Sequence, residues 1–148
     1  MAVLRLPLSA AGPIVPLQLS VGSARQRALV KAGQQVPPPL PLAGLLHTGA
    51  TGTVIDRQLL RRLGLSPTGA VRFKASAQGL SAEISDAYDV GLSLVIGGSI
   101  HPLVEPLSVL EGSFGQPEFQ AILGRDVLAR LKVEIDGPSR QFSVMVWS

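Results

Sequence analysis

The chain contains no cysteine, so disulfides and thiolate metal sites are excluded. Histidine is nearly as scarce: only His47 and His101 occur, with no His-x-x-x-His spacing to favour a metal site. Aromatic residues make up 4% of the chain, too few to build a base-stacking platform for nucleic acid. No apolar run resembles a membrane span. Residues 1–8 are apolar, but Arg5 and Pro7 interrupt them before a signal-type core forms. These absences lead to the expectation of a soluble cytoplasmic protein with no cofactor, no bound metal, and neither nucleic-acid nor membrane partners.

The charge is basic, +3 in net terms. Its carriers are scattered in small groups (Arg25, Arg27 and Lys31; Arg57, Arg61 and Arg62; Arg130 and Lys132), which reads as solvated surface rather than a binding stripe. At 148 residues the chain can bury one substantial core but not two, so a single domain over 1–148 is expected.

Strand signals dominate. Val15, Leu17, Leu19 and Val21 alternate with more polar residues, and Gly22-Ser23 marks a turn. Residues 23–39 lose that period. Ala24 to Lys31 suits a helical turn or two, and Pro37-Pro38-Pro39 is extended because proline fixes φ and lacks an amide donor. Asp56 is placed to cap a short helix running through Leu63, with Gly64 as its stop. Leu59, Leu60 and Leu63 would then face inward, leaving Arg57, Arg61 and Arg62 toward water.

Val71, Phe73 and Ala75 alternate outward, and Ile84, Tyr88, Val90, Leu92, Leu94 and Ile96 return with one parity, predicting a hairpin whose tip is Ser76 to Ser81. Gly97-Gly98 is a turn, with His101 in a loop beside Pro102, and Leu103 to Leu110 a strand whose prolines suit edge or bulged positions. Residues 112–117 read as a loop, and Asp126 to Leu131 as a short helix that Asp126 caps. Val133 to Ile135 and Gln141 to Trp147 are terminal strands joined by a turn at residues 136–139.

Two segments carry chemistry. The run Pro41-Leu42-Ala43-Gly44-Leu45-Leu46 leads into His47-Thr48-Gly49-Ala50, and Thr51-Gly52-Thr53-Val54-Ile55-Asp56 leads out. Much later comes Ala121-Ile122-Leu123-Gly124-Arg125-Asp126-Val127-Leu128. Together, and in this order, these segments resemble the two signatures of the retropepsins, the retroviral-type aspartic proteases. His47 stands at the position of the catalytic aspartate in the Asp-Thr-Gly-Ala motif. The resemblance covers the chain from about Pro13 onward, so 13–148 is the expected core, and residues 23–39 look like an insertion relative to the shortest members.

The resemblance implies an all-β, closed-barrel, single-lobe fold with one or two short helices and a flap hairpin. It implies a homodimer, because one chain supplies one signature loop and the cleft needs two. In the family a pair of carboxylates shares a proton, one taking a proton from water and the other donating to the substrate carbonyl. By resemblance, both roles fall on His47. Thr48 would brace the two loops across the axis, Gly49 would admit substrate backbone, and Ala50 would line the floor. Ala77, Gln78, Gly79 and Leu80 would form the flap over an extended peptide.

Gly124 and Arg125 would support the site. The acidic partner that the family's arginine often uses is missing, since the residue four beyond His47 is Thr51, leaving carbonyls or another acid for Arg125. Phe142, Val144, Val146 and Trp147 are candidates for an intersubunit sheet, or for the core.

Imidazole is larger than a carboxylate and aims its nitrogens differently, so ordinary peptide hydrolysis is not expected. Three readings remain open. The chain is an aspartic protease silenced by one change, or a pseudoprotease that holds a peptide without cutting it, or a metal site built from two symmetry-related His47 side chains.

Overall fold

A computed structural model describes residues 1–73, 83–114 and 118–147, with backbone only at 71–73 and 83–84. Ten strands and three short helices occur among them, one helix more than the one or two expected. The predicted flap tip, including Ala77, Gln78, Gly79 and Leu80, lies outside the described residues.

The alternating run becomes β2, Ile14–Val21, in which Val15, Leu17, Leu19 and Val21 are buried. It pairs antiparallel with β3, Leu40–Leu46, and with β6, Glu83–Ile96. From β3 the sheet continues through β8 (Ala121–Leu123), β4 (Val54–Asp56) and β7 (Ser99–Gly112) to β6, with β5 (Gly69–Phe73) outermost. Because β2 pairs with both β3 and β6, six strands close into a barrel, and β5 hangs from β6 as one stem of the predicted hairpin.

One core fills the barrel. Leu19, Ile55, Val90, Leu94, Val109 and Leu123 have no exposed surface, and period two on neighbouring strands is what directs them inward. Gly97 and Gly98 turn β6 into β7, as expected, but β7 begins at Ser99, so His101 and Pro102 lie in a strand rather than a loop. Only Leu110, Glu111 and Gly112 of β7 pair with β4, which leaves Pro102 and Pro106 on a free stretch of edge where a missing amide costs no ladder bond.

The helices follow local rules. In α2, Arg57–Arg62, the Asp56 carboxylate accepts from Gln58 N at 2.9 Å, and Leu60 and Leu63 are buried while the three arginines are exposed. The helix in the 23–39 segment, α1, runs over Ser23–Lys31. Its own N-cap position, Gly22, has no side chain to offer, and the Glu105 carboxylate of β7 accepts from Ser23 N at 2.7 Å instead. The third helix, α3, spans Arg125–Leu128, shorter than the predicted 126–131, because Leu131 already begins the next strand.

Both chain ends enter a second sheet: β1, Ala2–Pro7, pairs antiparallel with β10, Gln141–Val146, which pairs with β9, Leu131–Asp136. This second sheet forms within one chain. It buries Phe142, Val144 and Val146 in the core, leaving only Trp147 of the four candidate dimer residues exposed. Pairing with a strand about 140 residues away gives the short N-terminal run its inward face.

Candidate active site

Strand β8 brings the two signatures together. It runs parallel to β3, with Leu46 beside Leu123, and antiparallel to β4, with Val54 beside Ile122. The loop between β3 and β4 therefore leaves and re-enters the barrel on either side of β8. His47, Thr48, Gly49 and Ala50 occupy its first turn, closed by Ala50 N donating to the His47 carbonyl at 3.3 Å.

Backbone bonds fasten this turn to the second signature. His47 N donates to the Leu123 carbonyl at 3.0 Å, and Arg125 N to the Ala50 carbonyl at 2.9 Å. The Arg125 guanidinium reaches back and donates from Nη1 to the Thr48 carbonyl at 2.8 Å, so a carbonyl takes the place of an acidic partner. Gly124 is required for a steric reason. A Cβ there would overlap the Gly52 carbonyl oxygen, a backbone atom with no room to retreat.

Thr53 and Asp126, which the sequence pattern did not single out as site residues, form the other fastening. Thr53 is 1% exposed. Its hydroxyl donates to Asp126 Oδ1 at 2.8 Å and accepts from Gly124 N at 3.2 Å, while Thr53 N donates to Asp126 Oδ2 at 3.1 Å. Asp126 is thus not the N-cap of α3. That position belongs to Gly124, and the carboxylate is turned toward Thr53 while also accepting from Val127 N at 2.8 Å. Three donors satisfy a carboxylate better than one cap bond does. A hydroxyl heading a buried strand was the available signal, but its partner lies 73 residues on.

The predicted site residues differ in access. Thr48 and Gly49 are exposed, and His47 is half-buried. Ala50 is 5% exposed and packs with Phe119 and Ile122. Gly124 is buried and Arg125 exposed.

The His47 ring folds over its own turn. Nδ1 accepts from Gly49 N at 3.1 Å, and a Cβ on Gly49 would come within 2.7 Å of the imidazole Cε1. An accepting Nδ1 places the proton of a neutral ring on Nε2. Nε2 is buried without a hydrogen-bond partner, a donor with nothing to donate to. A metal at Nε2 would need the proton moved to Nδ1, where it would face the Gly49 N–H, so this hydrogen bond disfavours the paired-histidine metal reading. His101 sits on β7 opposite Leu94, and the described residues hold no group of three or more His, Cys, Asp or Glu suited to a metal.

No described helix is long and apolar enough to cross a membrane. No protein-family model matches the chain, and no curated protein matches it by sequence. Solved structures do. A retropepsin-like aspartic protease from Rickettsia conorii superposes with a TM-score of 0.55 at 16% identity, over 97% of this chain and 89% of that one. An aspartic proteinase from Irpex lacteus gives a TM-score of 0.55 at 16% identity, over 100% of this chain but only 48% of its own. At these identities the likeness is one of fold.

Proposed function

We propose that this chain, whose fold is that of the retropepsin-like aspartic proteases, is one half of a twofold module that holds an extended peptide without cutting it. The observation that carries this reading is the fastening of residues 47–50 to residues 123–126 through His47 N, Arg125 N and Arg125 Nη1. Two sequence signatures far apart in the chain meet where a catalytic loop would be held, with imidazole in place of carboxylate. The Irpex lacteus proteinase, of which this whole chain matches about half, supports the view that a complete cleft needs a second copy.

The chemistry argues against hydrolysis. A carboxylate pair offers one oxygen to take a proton from water and one hydroxyl to give a proton to the scissile carbonyl. His47 has its lone-pair nitrogen occupied by the Gly49 N–H, so each copy brings a donor and no free base. For its Nε2–H to reach a peptide carbonyl the imidazole must swing out of its own turn, and a donor buried without a partner, at a cost of about 1–3 kcal/mol, favours that movement. Thr48 and Gly49 are the exposed edge over which the peptide would pass.

The second reading, a protease silenced by one change, is favoured by the unbroken remainder of both signatures. Replacing His47→Asp separates the two. With a mixed peptide library read by mass spectrometry, the pseudoprotease reading expects measurable affinity for peptides in the unsubstituted chain and no cleavage by either protein. Clear cleavage by the His47→Asp chain moves the assignment to a silenced protease, and absence of peptide affinity in the unsubstituted chain removes the binding role.

A further inference from the structure

We propose that a cleft beside α1, which shares no residue with the His47 turn, binds a short zwitterionic peptide of two or three residues by its charged ends. The cleft holds about 560 Å³, within the range of roughly 300–1,000 Å³ usual for small-molecule sites. Three parts of the chain wall it: the first turn of α1, residues 65–68 between α2 and β5, and strands β6 and β7 at Asp89, Glu105 and Pro106.

The walls are set before any ligand arrives. Between the pairs Val90–Leu107 and Leu92–Val104, β6 has one residue, Gly91, where β7 has two, Glu105 and Pro106. Such a bulge re-aims a side chain. Here Glu105 reaches α1, where its Oε1 accepts from Ser23 N at 2.7 Å. A Cβ on Gly91 would come within 2.7 Å of Glu105 Oε2, so glycine at that position leaves the carboxylate its room. The loop wall is tied to β6 as well, because Thr68 donates to the Ala87 carbonyl from both N, at 2.7 Å, and Oγ1, at 3.2 Å.

Two guanidiniums, Arg25 and Arg27, and two carboxylates, Asp89 and Glu105, line this one cleft. Among the described residues none of the four is in an ion pair, and Arg25, Arg27 and Asp89 make no side-chain hydrogen bond. Opposite charges that share a cleft without pairing suit a molecule that carries both. A peptide carboxylate matches the guanidiniums, whose forked donors meet its two oxygens, and a peptide ammonium matches Asp89 and the free oxygen of Glu105. A simple anion would face the two carboxylates, and a simple cation the two guanidiniums, each a like-charge contact that disfavours it. Leu65, Pro67 and Pro106 add apolar wall for a peptide side chain.

The test titrates the isotope-labelled full chain with the tripeptide Ala-Leu-Ala, its N-acetyl form and its C-terminal amide, reading amide shifts. Saturable shifts around residues 22–27, 65–68, 89 and 105–107 are expected with the free tripeptide. Each capped form should bind about fivefold more weakly, the upper end for an exposed ion pair. Asp89→Asn should weaken the free and amidated tripeptides but not the acetylated one, and Arg25→Gln/Arg27→Gln should weaken the free and acetylated ones but not the amide. Both chains should keep the parent melting temperature, since these side chains bond to nothing else among the described residues. No saturable shift at the cleft, equal affinity for the capped forms, or affinity unchanged in both substituted chains overturns the proposal. Shifts confined to residues 47–50 and 123–126 overturn it too, while leaving the peptide-holding role of the His47 site in place.

Discussion

Thr53 shows how much a single hydroxyl holds at this site. It is buried, donates to Asp126 and accepts from Gly124 N, so it ties the strand leaving the first signature to the glycine and acid of the second. Thr53→Val keeps the shape but orphans the Gly124 amide and one carboxylate bond. A loss of about 2–3 kcal/mol is expected in urea unfolding, with faster amide exchange at residues 124–127. Tyr88 provides a pH readout. Burial first, and then its hydrogen bond to Glu111 at 3.0 Å, hold the Tyr88 phenol above its ordinary 10.0. The folded state thus keeps that proton more tightly than the unfolded chain does. The stabilisation is complete below pH 10 and is lost as pH rises through the raised folded value. Tyr88→Phe should flatten that alkaline limb in thermal melts while costing about 1–2 kcal/mol at neutral pH.

At the scale of elements, caps separate what is local from what is not. Asp56 caps α2 from two residues away, and its position before an apolar helical face was enough to reveal it. Asp126 stands in a similar pattern before α3, yet its carboxylate goes to Thr53, because the barrel brings three donors to it at once. For α1 the cap comes from Glu105, 82 residues along the chain, and no pattern within residues 20–30 could announce it. Glu105→Ala should therefore fray the first turn of α1, at a cost of about 1 kcal/mol, seen as hydrogen exchange quickening at residues 23–26 while the barrel strands keep their protection. The same limit explains β1, whose inward face exists only through its pairing with β10.

For the whole molecule, the proposed function depends on association. One chain presents one His47 turn, and its terminal strands are consumed by its own second sheet, with Phe142, Val144 and Val146 buried inside. A two-copy assembly must therefore use surface outside those three side chains, such as the exposed Thr48 and Gly49 turn and Trp147, 58% exposed. Sedimentation equilibrium should show a concentration-dependent dimer whose dissociation is shifted by a bound peptide. A chain that stays monomeric at concentrations where peptide binds would end the two-half reading.

The amino-acid pattern alone determined the all-β character, the strand parity of β2 and β6, the α2 cap, the hairpin turn at Gly97-Gly98, and the pairing of the two signatures that points to the fold. These are readable because period, turn chemistry and capping act over a few residues. The tertiary structure decided the partners of Arg125, Asp126 and Glu105, the burial of Ala50, the use of both chain ends within one subunit, and which nitrogen of His47 is engaged. Each of these depends on a hydrogen bond or contact that the barrel makes by closing. A carboxylate or a guanidinium is satisfied by whichever donors or carbonyls the fold delivers to it, and that choice is written in three dimensions rather than along the chain.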